Sequence, residues 1–309
     1  MADTSHTDLR DGFVAFIHGL QDRICASLEA EDGHATFRED AWQRPGGGGG
    51  KTRVIEGGHV LEKGGVNTSI VFGELHPALQ AGLNTGPGWF FATGISLVIH
   101  PLSPFVPTTH ANFRYFELRE AEDGPLRDAW FGGGADLTPY YLAPDDGAHF
   151  HRTLKAACDS HGPEHYPRFK AWCDEYFTNH HRGTEMRGIG GVFFDWLRAE
   201  EGLTLAQRRA FTETVGDAFL PAYLPLVQKL KHLPWNEQHR RWQEIRRGRY
   251  AEFNLLHDRG TKFGLQSDGR IESILMSLPP RAQWHYDYHP APGTPEAEML
   301  AHYQPHDWV

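Results

Sequence analysis

The sequence predicts an α+β fold, a large and mainly antiparallel β-sheet flanked by α-helices on both faces. Three observations carry that prediction. Residues 90–140 alternate apolar and polar side chains with a strand period. An Asp-Gly turn at 268–269 separates two further strand-like runs. Strands outnumber obvious βαβ alternations and hairpins are expected, which favours a largely antiparallel sheet. No repeat or linker divides the 309 residues, so residues 1–309 read as a single domain.

The elements follow in order. Phe13, Phe16, Ile17, Leu20, Ile24 and Leu28 recur at three- and four-residue spacing, the stripe of an amphipathic helix. Residues 46–52, five glycines then Lys51 and Thr52, imitate a phosphate-binding loop. That motif needs glycine where Pro45 stands and a helix where a strand-like run begins, so the stretch reads as a backbone-exposing loop or lid. Ile95, Leu97 and Ile99 alternate with Ser96, Val98 and His100. After a link stiffened by three prolines, Phe113 and Tyr115 alternate with His110, Asn112 and Arg114. Phe150, Leu154 and Cys158 mark a second helix, and Phe169, Trp172, Cys173, Tyr176 and Phe177 a third. Residues 188–194 return to strand, and residues 204–231 form a helix that Pro221 and Pro225 kink or end. The basic run at 239–249 predicts an exposed helix face. Residues 250–266 and 271–278 predict the strands of a hairpin.

Composition narrows the function. Apolar residues make up 39% and charged residues 23%, as in a soluble globular protein. A net charge of −10 argues against nucleic acid as a partner. Cys25, Cys158 and Cys173 are too scattered for an iron–sulfur or zinc-ribbon pattern. The first thirteen residues lack an apolar signal core and no stretch reaches transmembrane length, so the expected location is cytoplasmic.

If the two polar sets at 96–100 and 110–114 share a sheet face, Ser96, His100, His110, Asn112 and Arg114 meet on one patch. His110 is then either an acid or base or a satisfied sheet histidine. Arg114 meets either a substrate carboxylate, held two-pronged, or an internal one. Asp136 follows three glycines that let a flat ligand approach the backbone, or it is a turn aspartate. Arg270 reads as a surface charge at a turn. His100, His110, His151 and His181 either join at a divalent metal or are buried, hydrogen-bonded histidines, with no local ligand spacing to decide.

Long blocks carry a resemblance over about residues 42–295. They include GGGGGKTRVIEGG, ATGISLVIHPLSPFVPTTHANFRYFEL, WFGGGADLTPYY, RGIGGVFFD and RRGRYAEFNLLHDRGTKFGLQ. In these the chain resembles the oxygen-dependent coproporphyrinogen III oxidases. The resemblance implies oxidative decarboxylation of two propionates of coproporphyrinogen III to vinyls, giving protoporphyrinogen IX, carbon dioxide and hydrogen peroxide. It implies molecular oxygen as co-substrate, with no flavin and no iron–sulfur cluster, and a homodimer joined through residues 250–285. It matches His110 to a proton donor and Asp136 to a group facing the pyrrole nitrogens. Ser96, Asn112, Phe113, Arg114, Asp268, Gly269 and Arg270 match substrate contacts, and His100, His110, His151 and His181 match divalent-metal ligands. Asp268 stands where the family has glycine, adding a negative charge near the propionates. Two rivals are a porphyrin carrier without turnover, which takes up no oxygen, and a metal-dependent hydrolase, which ignores oxygen.

Overall fold

In the computed structural model, which describes residues 4–266 and 269–309, the N-terminal stripe forms α1 (Thr4–Asp32). Phe13, Ile17, Leu20, Ile24 and Leu28 are all buried, as their spacing on one helix face requires. Among the described residues seven strands make one sheet: β1 (Arg38–Gln43), β2 (Gly48–Glu56), β3 (Leu61–Glu74), β4 (Trp89–Pro101), β5 (Thr108–Arg119), β6 (Leu126–Thr138) and β7 (Gly190–Leu197). They lie in chain order, each antiparallel to the next. The predicted α+β class is therefore the observed one.

A short α2 (Pro77–Leu83) joins β3 to β4, and α3 (Pro144–Asp159) and α4 (His165–Tyr176) separate β6 from β7. After β7 come α5 (Leu205–Asp217) and α6 (Phe219–Leu230), then α7 (Glu237–Leu256), α8 (Arg259–Gln266), α9 (Ile271–Leu275) and α10 (Pro295–Met299). Helices α1, α3, α5 and α6 cover one sheet face, where Ile95, Leu97, Ile99, Phe113, Tyr115 and Phe131 join them in the main core. The opposite face is covered only in part. There α7 and the α9 segment reach it through Arg247 to the Pro101 carbonyl (2.8 Å), Ser273 to Thr52 (2.7 Å) and Met276 against Gly65.

Four expectations are corrected. The glycine run is a turn and a strand, not a lid: Gly46 and Gly47 turn, and residues 48–50 belong to β2. Gly48 has φ +81°, and a Cβ there would lie 2.1 Å from the Ile70 carbonyl oxygen. Only glycine lets the strands approach so closely. Residues 204–231 are two helices broken at Ala218, with Pro221 in the first turn of α6, where a missing N–H costs nothing. The expected hairpin strands at 250–266 and 271–278 are helical. A capping box at Asn236 starts α7, and its buried stripe of Trp242, Ile245, Tyr250 and Phe253 has helical spacing. Finally, the basic run of α7 is exposed at Arg241 but largely buried elsewhere. Arg240 and Arg247 are buried against Glu62 (2.5 and 2.6 Å), and Arg246 is buried against Glu185 (2.8 Å).

Candidate active site

Strand register builds the site. Asn67, Ser96, Asn112 and Gly134 stand side by side across β3 to β6. The row below holds Gly65, Val98, His110 and Asp136, and the row above holds Ser69, Gly94, Arg114 and Gly132. Register partners point to the same face, so the two polar sets do converge. Gly94, Gly132 and Gly134 put no side chain on this face. The result is a shallow trough along which Ser69, Asn67, Gly94, Ser96, His110, Asn112 and Arg114 stay partly exposed, while Gly132 and Gly134 are buried. Two clefts, of about 620 and 450 Å³, lie by Trp42 and Lys51 and by Glu62 and Arg240.

One end of the trough holds a chain of ionic contacts. His110 Nδ1 lies 2.8 Å from Asp136 Oδ1, and Arg187 Nη2 lies 2.8 Å from the same oxygen, with its Nε 3.3 Å from Oδ2. Arg187 also donates to Asn254 Oδ1 (2.7 Å), and its guanidinium stacks within 4.1–4.8 Å of the Phe177, Tyr250 and Phe253 rings. Both members of the pair are buried, Asp136 at 1% and Arg187 at 2% side-chain exposure. Burial alone would raise the Asp136 carboxyl, but the Arg187 charge and the His110 hydrogen bond outweigh it and hold the group below the usual carboxylate range. An ionised Asp136 accepts, so His110 Nδ1 carries a proton and donates to it. That leaves Nε2 as the nitrogen without a hydrogen-bond partner among the described residues, on a ring that remains partly exposed.

Asp136 therefore does not lie open beneath a bound ring, as expected from the glycines before it. Both its oxygens are taken, Oδ1 by His110 and Arg187 and Oδ2 by Arg187. The glycines serve strand packing as well: a Cβ on Gly133 would lie 2.7 Å from the Asn112 carbonyl oxygen.

Arg114 donates through Nη1 to Asn112 Oδ1 (2.7 Å) and pairs through Nη2 with Asp195 Oδ2 (2.8 Å). Ser96 shares this face, half-buried. Phe113 does not: it sits at an odd position of β5 and is fully buried in the core on the other side of the sheet, so its side chain is no part of the trough. Asp268 lies outside the described residues. The Gly269 N–H is spent on the Gly264 carbonyl (2.9 Å), and Arg270 pairs closely with Asp40 of β1. Ser273, Thr52 and Asn67 link α9 to the trough's β2–β3 side by 2.7 Å bonds, so Arg270 stands at that margin and not on a hairpin tip.

The four histidines do not meet. His100 is buried, with Nε2 donating to the Ser277 carbonyl (2.9 Å) and Nδ1 facing the Thr108 hydroxyl (3.2 Å). Burial, with Arg247 nearby, keeps its pKa well below that of an ordinary imidazole. His151 is held by Ile189 O (3.2 Å) and Tyr166 OH (3.0 Å) against Trp308, and burial pushes it down to about 3. His181 is bonded to His257 (2.7 Å) and Glu252 (2.9 Å). Among the described residues no group of three or more histidine, cysteine or carboxylate side chains is arranged around one ion. The shared metal site implied by the resemblance does not fit this chain's geometry, because most of these ring nitrogens already have internal partners.

Arg187, Asn254 and Asp195 escaped the sequence reading. Arg187 sits 51 residues from Asp136, in a loop pressed onto β6 where a Cβ on Gly188 would lie 2.2 Å from the Leu137 carbonyl oxygen. Its one local sign is an arginine set directly before a glycine-rich strand.

The sequence profile of the coproporphyrinogen III oxidase family matches residues 12–308. The chain is also 50% identical, over 315 aligned residues, to the chloroplastic oxygen-dependent coproporphyrinogen-III oxidase of Glycine max. That alignment takes in 99% of this chain and 81% of the soybean protein.

Proposed function

The chain belongs to the coproporphyrinogen III oxidase family, and from that premise we propose that the trough over β3 to β6 is where its reaction takes place. The protein is an oxygen-dependent oxidoreductase of porphyrin and haem biosynthesis. It turns two of the four propionates of coproporphyrinogen III into vinyls, yielding protoporphyrinogen IX. For each propionate, –CH₂CH₂COO⁻ becomes –CH=CH₂ with loss of carbon dioxide, one proton and two electrons. Oxygen takes the two electrons and two protons to leave as hydrogen peroxide, so each cycle consumes one proton from outside.

The residues divide this work. The partly exposed strip at Gly94, Ser96 and Asn112 receives the face of the macrocycle. Arg114 takes a propionate, with Asn112 holding the guanidinium. His110 Nε2 supplies the proton that the balance requires, and Asp136 keeps Nδ1–H in place and stabilises the imidazolium. Arg187 fixes the Asp136 carboxylate from behind. No step runs through a metal. The observation that carries this reading is the Arg187–Asp136–His110 chain, which opens on the same sheet face as Arg114.

Assembly belongs to the same proposal. Leu255, Leu256, Leu265, Ile271, Trp284 and Tyr286 are exposed large apolar groups concentrated between residues 255 and 286. That concentration supports a homodimer joined there. No helix is long and apolar enough to cross a membrane among the described residues, and all three cysteines are free and buried. A reducing cytoplasm suits such a chain.

The test is anaerobic incubation with coproporphyrinogen III, then admission of air with product analysis and oxygen uptake. Protoporphyrinogen IX should form only after air enters, with one oxygen consumed per carbon dioxide. Binding without oxygen uptake would leave a carrier instead.

A further inference from the structure

Arg114 is already occupied by a carboxylate of its own chain. We propose that Asp195 is an internal substitute for a substrate propionate: it holds the Arg114 guanidinium before substrate docks and yields it on docking. It thereby sets how tightly the trough holds each carboxylate-bearing species. The inference rests on the trough being the porphyrinogen site.

Three observations support exchange over simple structural pairing. First, the contact is one-pronged. Arg114 gives Nη2 to Asp195 (2.8 Å) and Nη1 to Asn112 (2.7 Å), so a propionate offering both oxygens makes a better partner for the guanidinium fork. Second, the floor is cut to fit the pair: a Cβ on Gly132 would lie 2.5 Å from Asp195 Oδ1 and 3.0 Å from Arg114 Cζ. Third, the backbone is strained to aim Asp195. The register of β6 against β7 shifts between Gly133 and Phe131, and Trp196 takes φ +56°, a region costly for a bulky side chain. The Trp196 N–H donates to Asp195 Oδ1 (3.0 Å), and its ring packs on Trp130 (4.5 Å). Strain held in this way gathers where a side chain must point against the regular pleat.

A second cation faces the same group. Arg259 Nη2 lies 4.0 Å from Asp195 Oδ2, and its guanidinium rests over the Tyr176 ring (4.9 Å) while the side chain stays half-exposed. Displacing Asp195 therefore frees the Nη2 side of one guanidinium and removes a charge partner from a second. The substrate carries four propionates, the intermediate three and the product two. A fixed internal competitor weakens the hold on all of them and so assists release of the later species.

The probe is coproporphyrin III, the oxidised tetracarboxylate, titrated by fluorescence against wild type, Asp195→Asn and Asp195→Glu. Asp195→Asn keeps the acceptor for Trp196 N–H and removes the competing charge. Its Kd should fall about threefold to tenfold. The KM for coproporphyrinogen III should fall in parallel, with less three-propionate intermediate released into solution. Asp195→Glu should return both towards wild type. Asp195→Ser, whose hydroxyl still accepts from Trp196 N–H, replaces the Asn variant if that misfolds. A Kd that is unchanged or higher in the folded variant would overturn the proposal, leaving Asp195 as a mere support for Arg114. Wild type that binds coproporphyrin III yet takes up no oxygen with the porphyrinogen would refute the function while the Kd comparison still decides the exchange. Wild type that binds no porphyrin would refute both.

Discussion

Replacing Asp136 by Asn tests the buried pair at the centre of the site. Arg187 has 2% of its side chain exposed and stays charged, so the substitution leaves a guanidinium uncompensated in the interior. Removing one partner of a buried pair costs about 3–5 kcal/mol. An unfolding entropy of about 2.1 cal/mol/K per residue, taken over 309 residues, gives about 0.65 kcal/mol/K. The melting temperature should therefore drop by about 5–8 °C. Asn254 and the three rings soften the loss without replacing the charge. Removing both charges with Asp136→Asn/Arg187→Met should cost less than the two single changes together, with a coupling of about 1–3 kcal/mol. Catalysis should suffer separately, because His110 loses the group that holds its Nδ1 proton. A kcat about a hundredfold lower is expected. The assay is thermal and urea unfolding of wild type, both single variants and the double variant at pH 7, with kcat measured on each. An Asp136→Asn protein that melts within about 1 °C of wild type, with strictly additive effects, would refute the buried-pair argument.

Other perturbations separate the remaining roles. Arg114→Lys keeps the charge but cannot hold Asn112 and a carboxylate together, so kcat/KM should fall about tenfold or more in steady-state assays. Asp32 is buried at the end of α1. Burial would raise its carboxyl, but backbone N–H bonds from Ala35, Leu61, Val60 and His59 outweigh this and lower it. A carboxylate lowered in the folded state stabilises fully above its unfolded pKa of about 4 and loses that contribution as pH falls below it. Urea midpoints should therefore drop below about pH 4, and Asp32→Asn should flatten that acid limb. Sedimentation at micromolar concentration should show a dimer for wild type and a monomer for Leu256→Asp, since Leu256 is half-exposed within the apolar segment. Gly48→Ala should destabilise by about 1–3 kcal/mol in urea unfolding, because it combines φ +81° with a 2.1 Å clash on a backbone oxygen.

Local periodicity by itself determined much of this protein. The alternation grouped Ser96 with His100 on one strand and His110 with Asn112 and Arg114 on the other, because side-chain direction along a strand has a period of two and needs no partner; the register of β4 on β5 then brought the two sets to one face. The same rule placed Phe113 in the core, against the role that the matching block implied. The stripe of α1 was legible for the same reason, its spacing being a property of one helix. Where local composition and tertiary packing disagreed, packing decided. Residues 250–266 read as strand yet fold as helix, because a capped α7 buries Tyr250 and Phe253 against Arg187 and its neighbours. Arg240 and Arg247 read as surface charge until Glu62, 178 and 185 residues away, neutralised both inside the fold. The pairing of Arg187 with Asp136 and of Asp195 with Arg114 is likewise a contact between distant segments. No spacing along the chain encodes such a pair, since each charge is affordable inside only once the sheet and the α7 region have brought its partner within hydrogen-bond reach.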